Sequence, residues 1–206
     1  MMNALNADTQ SAISPGKALE MLKEGNERFL SKGQVARDLN LQVSQTAGGQ
    51  WPFAVVLGCI DSRVPIELVF DQGVGDIFSA RVAGNFVNKD ILGSIEYGCK
   101  VAGSKLVVVL GHEGCGAVKG ACDNVELGNI THLLSNLMSA VDAVEESGDR
   151  SSANADFVHR VVDKNVDLTV EDMRAQSPLL KEMEENGEIM IVGAVYDVAT
   201  GKVNWK

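Results

Sequence analysis

Phe53-Ala54-Val55-Val56-Leu57-Gly58, running into Cys59, and Leu106-Val107-Val108-Val109-Leu110-Gly111, running into His112 with Cys115 three residues later, read almost as copies of each other. Continuous apolar runs of this length, rich in β-branched residues and closed by glycine, are the pattern of strands buried on both faces of a parallel sheet. Parallel strands carry their carboxyl ends to one edge, where open α/β sheets bind ligands. Cys59, His112 and Cys115 therefore converge at that edge although they lie far apart in sequence. Two thiolates and one imidazole suit zinc and leave one tetrahedral position open.

Working outward, residues 77–82 read as a further strand closed by Ala83-Gly84-Asn85, and residues 90–102 as a helix with Ile91, Ile95 and Tyr97 turned inward. A strand, a helix and a second strand in that order imply a right-handed crossover. Upstream, Ser14-Pro15 opens a helix in which Ala18, Met21, Leu22 and Phe29 recur at helical spacing. Residues 1–34 are thus an amphipathic helical arm that packs on the body of the protein or on a neighbouring subunit. Residues 34–50 are mostly polar and carry no periodic signal. Downstream, residues 131–146 and 157–170 each offer an apolar helical face. Thr169-Val170-Glu171-Asp172 resembles a capping box, Ser177-Pro178 restarts or kinks the helix, and Gly187 ends it. Residues 189–196 are a last buried strand and 202–205 a short final one. No shift of composition marks a boundary, so residues 1–206 are expected to form one α/β domain with a mainly parallel central sheet flanked by helices.

A chain of 206 residues, 45% of them apolar, can bury one substantial core without disulfides. Its formal charge of -10 and lack of clustered Lys and Arg exclude a nucleic-acid partner. The first residues lack an apolar signal core with basic flanks, and no later apolar run spans a bilayer. The expectation is a cytoplasmic protein without a membrane partner, or a periplasmic one if a signal peptide has been removed. Cys99 and Cys122 read as small buried hydrophobes, with a Cys115–Cys122 redox pair left open. The glycine order in Gly111-His112-Glu113-Gly114-Cys115-Gly116 is wrong for a phosphate cradle. His132 and His159 fall in helical stretches, and nothing in the sequence selects either as a proton relay.

Cys59-Ile60-Asp61-Ser62-Arg63-Val64-Pro65, Asp71-Gln72-Gly73-Val74-Gly75-Asp76, Arg81-Val82-Ala83-Gly84-Asn85, Ile95-Glu96-Tyr97 and Gly111-His112-Glu113-Gly114-Cys115-Gly116 together resemble the β-class carbonic anhydrases. The resemblance extends from the amino-terminal helix to Tyr196-Asp197-Val198. A C-x-D-x-R element followed about fifty residues later by H-x-x-C, each after a buried strand, is specific where an isolated H-x-x-C is not. The resemblance implies Zn2+ held by Cys59, His112 and Cys115, and reversible hydration of carbon dioxide to bicarbonate and a proton by attack of zinc hydroxide. It also implies a dyad in which Asp61 accepts a hydrogen bond from the zinc-bound water while Arg63 keeps that carboxylate off the metal. In an extended segment Cys59, Asp61 and Arg63 project to the same side, and the last two can pair bidentately. Because two thiolates already offset the ion's charge, the hydroxide form is expected at mildly alkaline pH.

The same resemblance implies that Phe78 lines a pocket across a dimer interface, that the Gly116 amide is a donor to substrate, and that Arg81 and Tyr196 belong to a bicarbonate pocket away from the metal. It implies a homodimer or homotetramer acting on a small molecule, carbon dioxide or bicarbonate. Two departures stand out: Val56 occupies the place of a Trp found in members with a bicarbonate switch, and Gly73 that of a Gln donor in plant-type members, with Gln72 beside it. Alternative readings are a hydrolase of carbonyl sulfide or carbon disulfide, a non-catalytic zinc or thiol sensor, and a purely structural zinc. Structural sites usually recruit four protein ligands, and Asp61 beside Arg63 is the one obvious fourth.

Overall fold

The computed structural model describes residues 3–206. Three helices precede the sheet: α1 (Ala7–Ser11), α2 (Pro15–Ser31) and α3 (Leu39–Thr46). Each begins where a side chain accepts from the amide three residues on, Asn6 from Thr9, Ser14 from Lys17 and Asp38 from Leu41. The apolar face of α2 is spent on the protein's own body, with Ala18 and Leu22 fully buried. α3 lies in the polar stretch that carried no periodic signal, because Gln42 is its sole buried residue.

Next come β1 (Ala54–Gly58), α4 (Ile66–Val69), β2 (Ile77–Arg81), α5 (Lys89–Glu96) with a π-helical turn Tyr97–Val101, and β3 (Leu106–His112). They are followed by α6 (Gly116–Cys122), α7 (Gly128–Ser135), α8 (Met138–Ala143), α9 (Ala155–Gln176), α10 (Pro178–Glu185), β4 (Met190–Tyr196) and β5 (Val203–Trp205). The sheet order is β2-β1-β3-β4-β5. All neighbours are parallel except β5, which returns antiparallel on β4. Both decisive runs are buried along their whole length as central strands.

Alternation sends Val55, Leu57, Val107, Val109, Ile191 and Val195 to a core shared with α5, α6, α8, α9 and α10. Ala54, Val56, Leu106, Val108, Leu110, Ala194 and Tyr196 face a second core under α2 and α4. On the first side α9 lies against the sheet closely enough that a Cβ at Gly111 or Gly193 would come within 2.6 Å of Val166. Both glycines are therefore required by packing.

Three local expectations are corrected. Residues 131–146 form two short helices, because the Asn136 side chain donates to the carbonyls of His132 and Leu133 and ends α7. Thr169 is buried in the middle of α9 and caps nothing; that helix starts at Asn154, whose side chain accepts from Phe157, and runs through to Gln176. Tyr97 is 53% exposed, since the wider π turn that begins there rotates it off the inward face. Ser177 does restart the chain as expected, accepting from the Leu180 amide ahead of Pro178. Cys99 and Cys122 are buried, and all four cysteines are unbridged. Among the described residues no helix is long and apolar enough to cross a membrane.

Asp71 ties the arm to the body. Its buried carboxylate accepts from Arg28 of α2 at 2.6 Å, from Arg37 at 2.5 Å and from the Val35 amide at 3.2 Å. Burial pushes its pKa up, but the bonds from Arg28, Val35 and Arg37 outweigh it and hold the carboxyl below the ordinary value. A depressed folded-state pKa adds stability that is present above the unfolded-state pKa and lost as pH falls through the folded one. Asp71 has φ +46°, a conformation asparagine tolerates, so Asp71→Asn removes charge with little backbone strain. The expected result is a loss of about 3 kcal/mol at neutral pH and a shallower acid limb, read from melting temperature against pH. An unchanged melting temperature would show the cluster to be dispensable.

Candidate metal centre

Cys59 follows β1 directly, His112 is the last residue of β3, and Cys115 caps the start of α6 after a turn at Gly114, where φ is +63°. Adjacent parallel strands thus deliver all three side chains to one edge, with their ligand atoms within 4.8 Å of one another. The two sulfurs stand 3.9 Å apart. All three residues are buried, His112 completely.

His112 Nδ1 lies 3.0 Å from the Glu113 carbonyl, which can only accept, so this nitrogen carries the proton and Nε2 holds a free lone pair. Nε2 is buried and has no hydrogen-bond partner. An orphaned acceptor facing two thiols is what a soft divalent metal would satisfy, and a donor set of this kind can hold one. Hydrogen bonding from the Cys115 thiol first, and from the Gly84 amide, draws Cys59 well below the ordinary thiol range in spite of burial. The Cys59 thiolate, together with burial, pushes Cys115 up.

Asp61 and Arg63 pair bidentately, Nε to Oδ1 at 2.9 Å and Nη2 to Oδ2 at 2.7 Å. The segment carrying them is a turn and not the expected extended run. The Val64 amide donates to the Asp61 carbonyl, and the Arg63 amide to Asp61 Oδ1 at 2.9 Å. Aspartate side chains favour this closure over the amide two residues on. Asp61 Oδ2 is 3.8 Å from His112 Nε2, at the rim of the cluster. Arg63 first, then its own amide and neighbouring charges, keep the Asp61 carboxyl far below the usual carboxylate range.

Arg81 donates to the carbonyls of Cys59 at 2.8 Å and Asp61 at 2.7 Å, which clamps the loop bearing the first ligand. Tyr196 is buried on β4 opposite His112. It shares the sheet face of Arg81, with β1 and β3 between them. Phe78 pairs with Val55, four residues short of Cys59 and so roughly 13 Å from its own centre along the strand. It lines a cleft of about 750 Å³ with Tyr97, their ring centroids 6.4 Å apart. Gly116 is the exposed first residue of α6, where amides have no partner within the helix.

Two contributors escaped sequence reasoning. The Gly84 amide donates to Cys59 Sγ at 3.4 Å, and the Gly84 carbonyl accepts from Asn165 of α9 at 2.8 Å. Asn165 carried a legible signal: at 165 a polar residue interrupts the apolar face set by Val161, Val162 and Val166.

A Cys-His-Cys centre on the carboxyl edge of an α/β sheet, with a restrained carboxylate at its rim, is the arrangement of a site that could hold a metal. The family model for carbonic anhydrase matches residues 54–203. Carbonic anhydrase 2 of Mycobacterium tuberculosis is 37% identical over 193 residues, covering 92% of this chain and 91% of that one. The β-carbonic anhydrase of Coccomyxa, solved with acetazolamide, superposes with a TM-score of 0.70 at 28% identity, covering 79% of this chain and 75% of the other. One of the tetrameric β-carbonic anhydrases of Sordaria macrospora matches in fold, with a TM-score of 0.68 at 23% identity, covering 81% and 89%. The chain belongs to the carbonic anhydrases, enzymes of the lyase class, and within them to the β class.

Proposed function

We propose that the chain catalyses the reversible hydration of carbon dioxide to bicarbonate and a proton, with zinc as its resident metal. The observation that carries this reading is the buried, partnerless His112 Nε2 facing two thiols, beside a carboxylate that Arg63 holds by two hydrogen bonds. Cys59, His112 and Cys115 would hold zinc, which when bound supplies a Lewis acid that acidifies water in the position these residues leave open. Asp61 would accept a hydrogen bond from a water in that position and orient it toward the substrate. Arg63 occupies both oxygens of Asp61 and denies the carboxylate to the metal. Arg81 keeps the Cys59–Asp61 loop in register with this task through its two carbonyl contacts. Relatives named as carbonic anhydrases over nine-tenths of both chains support the same chemistry. The test is metal analysis with stopped-flow carbon dioxide hydration, where about one zinc per chain and rapid turnover are expected; zinc-loaded protein that does not hydrate carbon dioxide would sink the reading.

The protein is proposed to act as a homo-oligomer of at least two copies. Support comes from the edge position of β2 in the sheet and from the neighbouring exposed Tyr97 and Val101. Phe78 would reach a partner's pocket from that edge. Sedimentation is expected to show a dimer or larger species; a fully active monomer would refute the proposal.

A further inference from the structure

Asn165 is 4% exposed, on the face of α9 that carries Val161, Val162 and Val166 into the core. A buried amide is costly unless bonded, and its Nδ2 donates to the Gly84 carbonyl at 2.8 Å. Gly84 has φ +82°, followed by Asn85 at φ +44°. The turn is anchored on either side of Gly84, by Val82 donating to the Gly58 carbonyl and Asn85 donating to the Val82 carbonyl. Gly84 itself, the residue with the freest dihedrals, is held by Asn165. A side chain there would meet Leu137 at 2.8 Å, so glycine is required and its mobility must be restrained from outside. The consequence reaches the metal centre because the amide of the same residue points at Cys59 Sγ, 3.4 Å away.

We infer that Asn165 is a positioning residue of the metal centre: by fixing the Gly84 peptides it aims an N–H at the Cys59 sulfur. The inference rests on the proposal that this centre holds metal. An N–H bond to a ligating thiolate draws electron density from it, and the partners of ligands commonly set both metal affinity and ligand electronics. The Gly84 donor thus offsets part of the charge that two thiolates impose on a metal, and Asn165 keeps it aligned from a helix that contributes no ligand.

The experiment uses the full chain and three variants, Asn165→Leu, Asn165→Asp and Val161→Ala. Val161 is fully buried one helical turn before Asn165, so its variant loosens α9 without touching Gly84. In the cobalt-loaded protein the thiolate-to-metal charge-transfer band is expected to move to longer wavelength in both Asn165 variants and to stay in place in Val161→Ala. Zinc affinity by chelator competition is expected to fall about tenfold for the Asn165 variants alone. In the native protein loaded with cadmium-113, the Gly84 amide proton is expected to show scalar coupling to the metal through Cys59, lost in Asn165→Asp. Unchanged bands and affinity in folded Asn165 variants, or equal losses in Val161→Ala, would overturn the role of Asn165. Should neither Asn165 variant fold, absence of the native coupling overturns it and its presence supports the donor that Asn165 holds. A native protein that takes up neither cobalt nor cadmium fails the proposal of a metal centre instead.

Discussion

His112→Ala and Cys115→Ser are each expected to purify without stoichiometric zinc and with hydration reduced to background. Each removes one of the three atoms that, among the described residues, lie within 4.8 Å of one another as a metal-holding cluster, and the two donors left are expected to hold the ion poorly against water. Zinc that binds the folded form alone stabilises it by about 4 kcal/mol when free metal exceeds the dissociation constant about a thousandfold. The native protein should therefore gain melting temperature on zinc addition and both variants should not. His112→Ala also deletes a fully buried ring bonded to the Glu113 carbonyl, so its metal-free form should melt below that of Cys115→Ser. Full zinc retention in both variants would remove the assignment.

Disabling the dyad should be nearly as damaging, with the metal in place. Arg63 is a largely exposed side chain, so Arg63→Ala should fold normally, and Asp61→Asn keeps the shape of its residue. Either change is expected to slow hydration roughly 10²- to 10³-fold, the usual cost of one oriented proton-accepting or charge-stabilising group. The reasons differ: Asp61→Asn loses the oriented acceptor, whereas Arg63→Ala frees a carboxylate 3.8 Å from His112 Nε2 to close the site. If Arg63 acts through Asp61, the double variant will be no slower than the single ones, a departure from additivity that a mutant cycle measures. Val56 lies fully buried where a Trp would stand, so the rate should rise with pH as a single ionisation, unaltered by added bicarbonate. An undiminished rate in Arg63→Ala, or a steep profile sharpened by bicarbonate, would contradict this account.

The central strands and the meeting of Cys59, His112 and Cys115 were legible because they need little context: an all-apolar run that ends in Gly and then Cys or His reads the same in any parallel sheet. Helix ends in the second half were not, because Asn136 breaks one helix by a side-chain bond that propensity does not register. Thr169 looked like a cap because a buried hydroxyl in mid-helix is indistinguishable by type from one at a start. Asp61 and Arg63 were paired correctly for a partly wrong reason, since a turn and not an extended strand brings them together. Arg81 and Gly84 were visible only as members of a motif. Arg81 reaches the Cys59 carbonyl 22 residues away and the Gly84 amide reaches the Cys59 sulfur 25 residues away, and no side-chain pattern records a bond in which one partner is backbone.

The pairing of Gly58 with Leu110 sets Cys59 level with Gly111, one residue before His112. A slip of β1 by a single residue would turn the strand over, send Val55 and Leu57 to the opposite core and move Cys59 along the edge from the place where it meets Cys115. Metal capture would thus be conditional on the correct alignment of two strands separated in sequence by α4, β2 and α5, a non-local pairing of the kind that forms slowly. In refolding, the ion would act as a proofreader: chains with misregistered central strands cannot retain it, and its uptake should trail the recovery of helical signal.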